Sequence, residues 1–136
     1  MDKAIIVDID GTIATRVNRD PFEYDKVIDD APKDNVIQII SSMWKSGHKV
    51  IFVTARDDSC RLQTLIWLKR WCPPFTEVHM RKTGDVRDDA IVKREIYESL
   101  IKPEYNVVAV FDDRQKVVDM WREIGLTCLQ VDYGDF

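Results

Sequence analysis

The segment AIIVDIDGTIA, residues 4–14, sets Asp8 and Asp10 one residue apart directly behind a run of apolar residues. Two later segments are laid out the same way: VIFVTAR ends in Thr54 and Arg56, and VVAVFDDR ends in Asp112 and Asp113. Brought to one sheet edge, Asp8, Asp10, Asp112 and Asp113 would repel one another by roughly several kcal/mol at low effective dielectric unless a divalent cation sat among them. Ligands made only of oxygen favour Mg²⁺. In such a site Asp8 is placed to attack phosphorus in line and form an aspartyl-phosphate. Asp10 is placed to protonate the leaving alkoxide and then to take a proton from water. The cation would be held by Asp8, the backbone carbonyl of Asp10, Asp113 directly, and Asp112 through water.

Two plainer readings of DIDGT compete with this one. D-x-D-G is reminiscent of a calcium loop, but that pattern needs Gly at its sixth position and Glu at its twelfth. Counted from Asp8, those positions hold Ile13 and Arg19. The other reading is a simple turn, with Gly11 supplying a positive φ and Thr12 a cap. The polar endings of two further strands argue against a turn alone.

The elements that must position these residues follow from hydropathy. Apolar runs rich in β-branched residues recur at 4–7, 49–53, 77–80, 107–111 and 126–131, with helical periodicity at 33–46, 59–71, 89–101 and 114–124. The helical stripes read as Val36, Ile39, Ile40, Met43 and Trp44; then Leu62, Leu65, Ile66 and Trp67; and finally Val117, Val118, Trp121 and Ile124. Gly47 ends the first helix, and Pro73 and Pro74 end the second. Regular β-α alternation with strands apolar throughout implies α/β architecture: a parallel sheet with helices on both faces and ligands beyond the carboxyl ends of the strands. Residues 13–32 break the rhythm and are read as a polar flap beside the site.

The chain has 136 residues, 45% hydrophobic and 32% charged, which suits one domain spanning 1–136. Its apolar runs are too short to cross a bilayer and its first residues lack signal-peptide layout, so a cytoplasmic protein without a membrane partner is expected. Cys60, Cys72 and Cys128 are too far apart for a thiolate metal site or a disulfide framework. The net charge is −4, yet residues 56–94 hold nine basic and six acidic residues, a local balance of +3.

DIDGT after the first strand, VTAR after the second, Lys93 ahead of a later strand and FDDR after it resemble the four motifs of the haloacid dehalogenase phosphatase superfamily. The resemblance is closer to the 3′-phosphatase domain of phage polynucleotide kinase/phosphatases. It runs from Lys3 to Phe136 through DIDGTIA, NRDPFEYD, GDVRDDAIVKREI, DDRQKVVDMWREIGLTCLQV and the closing GDF. It implies a Rossmann-like three-layer fold with strand order 5-4-1-2-3 and a minimal flap cap. It also implies a Mg²⁺-dependent enzyme removing 3′-phosphate from DNA or RNA ends, in company with a separate kinase or ligase. The phosphate loop GxxxxGK[ST] of the kinase half is not in this sequence, so no kinase domain and no 5′-kinase activity are expected within it.

Other roles are carried by the resemblance. On residue type alone, Thr54 reads as a helix cap and Lys93 as a solvated charge; the resemblance gives both to the equatorial oxygens of the transferring phosphoryl group. It places Arg19, in the flap, and Arg56 on the substrate, where guanidinium forks suit phosphate. Asp89 reads either as a helix-start acid or as a residue orienting a basic group near the substrate. Trp44, Trp67, Trp71 and Trp121 read as core rather than as stacking platforms. Two alternatives stand beside the 3′-phosphatase reading: a phosphatase of nucleoside monophosphates or other small metabolites, and a non-catalytic module binding phosphorylated ends. The second would have no use for a nucleophile at Asp8.

Overall fold

The computed structural model describes residues 1–134; the Asp135 and Phe136 of the closing motif lie outside them. Five parallel strands form the central sheet: β1 (Asp2–Val7), β4 (Lys49–Asp57), β5 (Glu77–Arg81), β6 (Tyr105–Arg114) and β7 (Cys128–Gly134), in the order β5-β4-β1-β6-β7. This is the expected order, with β1 at the centre and chain crossovers on either side. Two short strands, β2 (Ala14–Thr15) and β3 (Ala31–Pro32), pair antiparallel outside the sheet. Four helices cover it: α1 (Asp34–Lys45), α2 (Arg61–Trp71), α3 (Asp89–Ile96) and α4 (Gln115–Glu123), with α3 continuing through a π-helical turn, Tyr97–Ile101. None is long and apolar enough among the described residues to cross a membrane.

Strand side chains alternate between two cores, as a two-residue period requires. Ile5, Val7, Val50, Phe52, Ala109 and Phe111 pack with Ile37, Ile40, Trp67 and Leu68 of α1 and α2. Ala4, Ile6, Ile51, Val53 and Val110 pack on the other side with Val117, Val118 and Trp121 of α4 and with Tyr97 and Ile101. Register then levels the site: Val7 pairs with Phe52 on one side and with Phe111 on the other. Asp8, Thr54 and Asp112 therefore emerge together just beyond these pairs.

Two strands run farther than their apolar stretches suggest. β4 extends to Asp57 and β6 to Arg114, because Asp57 still pairs with Arg81, and Asp112 and Arg114 still pair with Gln130 and Gly134. Thr54, Arg56, Asp112 and Asp113 thus sit in strand rather than in the loops beyond, while Asp8 and Asp10 follow the end of β1. Residues 13–32 are also more ordered than a loop. The β2-β3 ribbon holds a 3-10 turn at Tyr24–Asp29 whose Val27 is fully buried.

The inward faces of α1 and α2 differ from the sequence expectation. Ile39 and Trp44 of α1, and Leu62 and Ile66 of α2, are exposed, while Ile37, Thr64 and Leu68 are buried. Apolar residues occupy more than one sector of each helix, so periodicity alone does not choose the face. In α2 polar tethers choose it: Thr64 Oγ1 accepts from Arg56 Nη1 at 3.1 Å, and Trp67 Nε1 donates to the carbonyl of Asp30 at 2.8 Å. The tryptophans divide accordingly. Trp67 and Trp121 are core, whereas Trp44 and Trp71 are 39% and 37% exposed.

That division is measurable. Trp67→Ala should lower unfolding free energy by about 3–5 kcal/mol, as for a large buried aromatic, and Trp44→Ala by about 1 kcal/mol or less, both read from denaturant titrations. Equal costs would contradict the assigned packing.

Candidate active site

The chain turns sharply after β1. The amides of Thr12, Ile13 and Ala14 all donate to the carbonyl of Ile9, at 3.1, 3.0 and 3.1 Å. Gly11 has φ +81°, and a Cβ there would lie 2.2 Å from Asp113 Oδ2. Both the backbone and the neighbouring carboxylate therefore require glycine. Lys33 Nζ donates to the Gly11 carbonyl at 2.9 Å and fixes the turn from outside.

Around Asp8 the acids outnumber the bases. Asp8, Asp112 and Asp113 are buried, and each offers an oxygen within 4.8 Å of the others. Among the described residues one cation is bound to this group: Lys93 Nζ donates to Asp8 Oδ1 at 2.8 Å and to Asp112 Oδ2 at 3.0 Å. Thr12 Oγ1 lies 2.8 Å from Asp8 Oδ2 and 3.3 Å from Asp113 Oδ1. Asp112 is heavily engaged, accepting also from Trp121 Nε1 at 3.2 Å and from the Asp113 amide at 2.9 Å. Burial, and then repulsion from Asp112, push the Asp8 carboxyl well above its ordinary range despite Lys93. Burial raises Asp113 as well. Burial would lower Lys93, but Asp112 and Asp8 outweigh it and hold the ammonium charged. With all three carboxyls ionised, the group would carry about two negative charges beyond the Lys93 ammonium among the described residues, the charge of one divalent cation, and the all-oxygen donor set suits Mg²⁺.

Around Asp10 the charges balance. Arg56 grips Asp10 in a two-pronged pair, Nε to Oδ2 at 2.9 Å and Nη2 to Oδ1 at 2.8 Å. Arg19 grips Asp30 likewise, Nε to Oδ1 and Nη2 to Oδ2, both at 2.8 Å. Cross links close the square: Arg19 Nη2 to Asp10 Oδ1 at 3.2 Å, and Arg56 Nη2 to Asp30 Oδ2 at 3.0 Å. Burial works to raise the Asp10 carboxyl, but Arg56 and then Arg19 outweigh it and hold it below the ordinary range. Arg19 and Arg56, which sequence reading places on the substrate, here direct their donors to Asp10, Asp30, Thr64 and the flap carbonyls.

Thr54 is buried and lines the cleft; its Oγ1 accepts from the Arg56 amide at 3.1 Å. It caps no helix, for the turn before α2 is capped by Asp57. Lys93 is no solvated charge either, being 2% exposed. Asp89 stands between two arginines, accepting from Arg81 Nη2 at 2.6 Å and from Arg114 Nη1. Asp30, Thr12, Arg81 and Arg114 are the site residues that motif spacing did not single out. Asp30 sits in a polar flap, and only the need of buried Arg19 and Arg56 for a counter-charge points to it.

The family model of the polynucleotide kinase PNKP phosphatase domain matches residues 2–136. A protein of Autographa californica nuclear polyhedrosis virus named "Putative bifunctional polynucleotide kinase/RNA ligase" is 30% identical over 125 residues, covering 90% of this chain and 18% of its own. A chain of the Pnkp1/Rnl/Hen1 RNA repair complex superposes with a TM-score of 0.95 at 37% identity, covering 99% of this chain and 44% of that one. A class C acid phosphatase from Bacillus anthracis shares the fold, with a TM-score of 0.70 at 16% identity over 98% of this chain and 67% of its own. This chain spans less than half of the RNA-repair chain and under a fifth of the viral protein.

Gly11→Ala should push Asp113 aside and lower turnover by about 10²-fold, the scale of an ångström's misplacement, with about 1 kcal/mol or more of lost stability from the positive φ. Asp30→Asn leaves two buried guanidinium groups with Asp10 alone, and should cost about 3–5 kcal/mol in denaturant unfolding. Wild-type midpoint and turnover for Asp30→Asn would refute the balanced-charge account.

Proposed function

Because the chain belongs to the phosphatase-domain family of polynucleotide kinases, we propose that it removes the terminal phosphate from the 3′ end of a DNA or RNA strand. It is a phosphomonoesterase of the haloacid dehalogenase type. The observation that carries the finer reading is the partition of charge at the strand ends: an acid-rich pocket around Asp8 beside a neutral cage around Asp10.

The two carboxylates then divide the reaction. Asp8 attacks phosphorus; the bond from phosphorus to the 3′-oxygen breaks, and the phosphoryl group passes to the Asp8 carboxylate. Asp10 gives its proton to the departing 3′-oxygen and recovers one from the water that attacks the aspartyl-phosphate. Arg56 and Arg19 hold Asp10 as a carboxylate in the resting enzyme, which suits the second half. An incoming phosphate raises that pKa again by like-charge repulsion, so the proton for the first half arrives with the substrate. Arg56 and Arg19 are thus positioning residues. Lys93 and Thr54 would steady the equatorial oxygens; the Thr54 hydroxyl proton has no acceptor among the described residues and is available to do so.

Asp8 and Asp113, with the Asp10 carbonyl, would hold Mg²⁺, and Asp112, whose oxygens already serve three donors, would act through water. When bound, the cation would offset the repulsion between the anionic nucleophile and the phosphate. Asp89 binds Arg81 and Arg114 together and so fixes two guanidinium groups in the lining of the cleft, where they would face the strand. The resemblance to an RNA repair complex and to a kinase/RNA ligase supports RNA ends as substrates and a separate kinase or ligase as partner.

Phosphate release should be faster from 3′-phosphorylated oligonucleotides than from the same strands phosphorylated at the 5′ end or from mononucleotides. Excess EDTA should silence it and Mg²⁺ restore it, with Ca²⁺ a poor substitute. Faster hydrolysis of mononucleotides would replace end healing with a nucleotidase reading, and activity undiminished in EDTA would remove the metal.

A further inference from the structure

The cations lining the cleft are nearly all committed to acids of the protein itself. Arg56 is bound to Asp10 and Asp30, Arg81 and Arg114 to Asp89, Arg87 to Asp85 and Glu95, and Lys93 to Asp8 and Asp112. Arg16, in the flap directly after β2, lines the same cleft and is exposed, and it has neither an ion pair nor a hydrogen bond among the described residues. Farther along the flap, Phe22 also lines the cleft with 82% of its surface exposed. Val86, from the segment between β5 and α3, adds a second apolar side chain to the lining, 93% exposed.

A single exposed aromatic residue means little, but Phe22 is held in place. Arg19 Nη1 donates to the carbonyls of Asp20 and Pro21 at 3.2 Å each, immediately before it. Glu23 Oε1 accepts from the Asp20 amide at 2.8 Å, and the Tyr24 ring meets the Phe22 ring edge-on with centroids 6.4 Å apart. The guanidinium that braces Asp10 therefore also fixes the turn presenting Phe22. The cleft encloses about 870 Å³, within the range of sites that take whole small molecules, and a phosphoryl group at Asp8 fills little of it. Charge on its floor, an unpaired guanidinium on its flap and a fixed aromatic face match the parts of a nucleotide.

We propose that the flap carries a nucleotide subsite, in which Phe22 stacks on the terminal base of the substrate strand and Arg16 pairs with the adjoining phosphodiester. The subsite rests on the reading of this chain as a polynucleotide phosphatase. It recognises the strand without reading its sequence, since every base has a π face and phosphate contacts carry no base information.

The test compares wild type, Phe22→Ala, Phe22→Tyr and Arg16→Ala on a 3′-phosphorylated oligonucleotide, on the same strand ending in an abasic 3′-phosphate, and on p-nitrophenyl phosphate. Phe22→Ala should lose about tenfold in kcat/KM on the intact strand relative to p-nitrophenyl phosphate, the scale of one base stack. Phe22→Tyr should keep the wild-type ratio, and the abasic strand should show no such selective loss. Arg16→Ala should raise KM on both strands relative to p-nitrophenyl phosphate and flatten the dependence of log KM on log salt by about 0.7, the release of one counterion. Equal losses on all three substrates for either alanine variant, or equal losses on abasic and intact strands for Phe22→Ala, would overturn the subsite. If wild type prefers the intact strand to the abasic one and Phe22→Ala keeps that preference, the subsite alone is overturned. If wild type has no preference for 3′-phosphorylated strands, the polynucleotide reading falls and the subsite falls with it.

Discussion

Buried charge governs this site. Buried Asp8, Asp30, Asp112 and Asp113 and half-buried Asp10 meet Arg19, Arg56 and Lys93 in one small volume, and a buried charge persists only where it is paired or hydrogen-bonded. The protein meets this requirement in two unlike ways. Asp10 and Asp30 are matched by two guanidinium groups, so that half of the site is neutral and fixed. Asp8, Asp112 and Asp113 share one ammonium, so the other half attracts positive charge. One fold thereby sets a carboxylate held by two guanidinium groups beside a carboxylate cluster that carries excess negative charge.

Much of the architecture serves this partition. The sheet levels Asp8 with Asp112 by pairing Val7 with Phe111, and α3 reaches Lys93 in between. Trp121, the largest side chain of the α4 core, turns its Nε1 to Asp112. The flap is drawn down by Asp30, whose carboxylate holds both arginines while its carbonyl takes Trp67. Burial of apolar side chains, about 1.5–3 kcal/mol for each large one, provides the platform. The polar tethers decide which way the helices and flap face on it.

The parallel sheet and both layers of helices were legible in the sequence because strands buried on both faces are apolar throughout, whereas the strand order came from the family resemblance. The carboxylates at 8, 10, 112 and 113 were legible because they follow those strands directly. Helix faces were not, since Ile39 and Trp44 of α1 and Leu62 and Ile66 of α2 continue the apolar pattern around each helix, and in α2 the inner sector is set by the tethers of Thr64 and Trp67. The tasks of Arg19 and Arg56 were hidden for a related reason: a guanidinium suits a phosphate and a carboxylate equally well, and Asp30, which claims them, is an ordinary acid of a polar segment. Arg16 lies in no motif and Phe22 lies in NRDPFEYD without a role assigned to it, so only the placement of their neighbours distinguishes them.

The division of labour between Asp8 and Asp10 is the central claim, and p-nitrophenyl phosphate tests it because its leaving group needs no proton. With Asp10→Asn, rapid mixing should give a burst of p-nitrophenol stoichiometric with enzyme, together with a phosphorylated protein whose phosphoryl group maps to Asp8, because attack proceeds while activation of water fails. Asp8→Asn should give neither. No burst and no phosphoprotein from Asp10→Asn, or a burst from Asp8→Asn, would contradict the account.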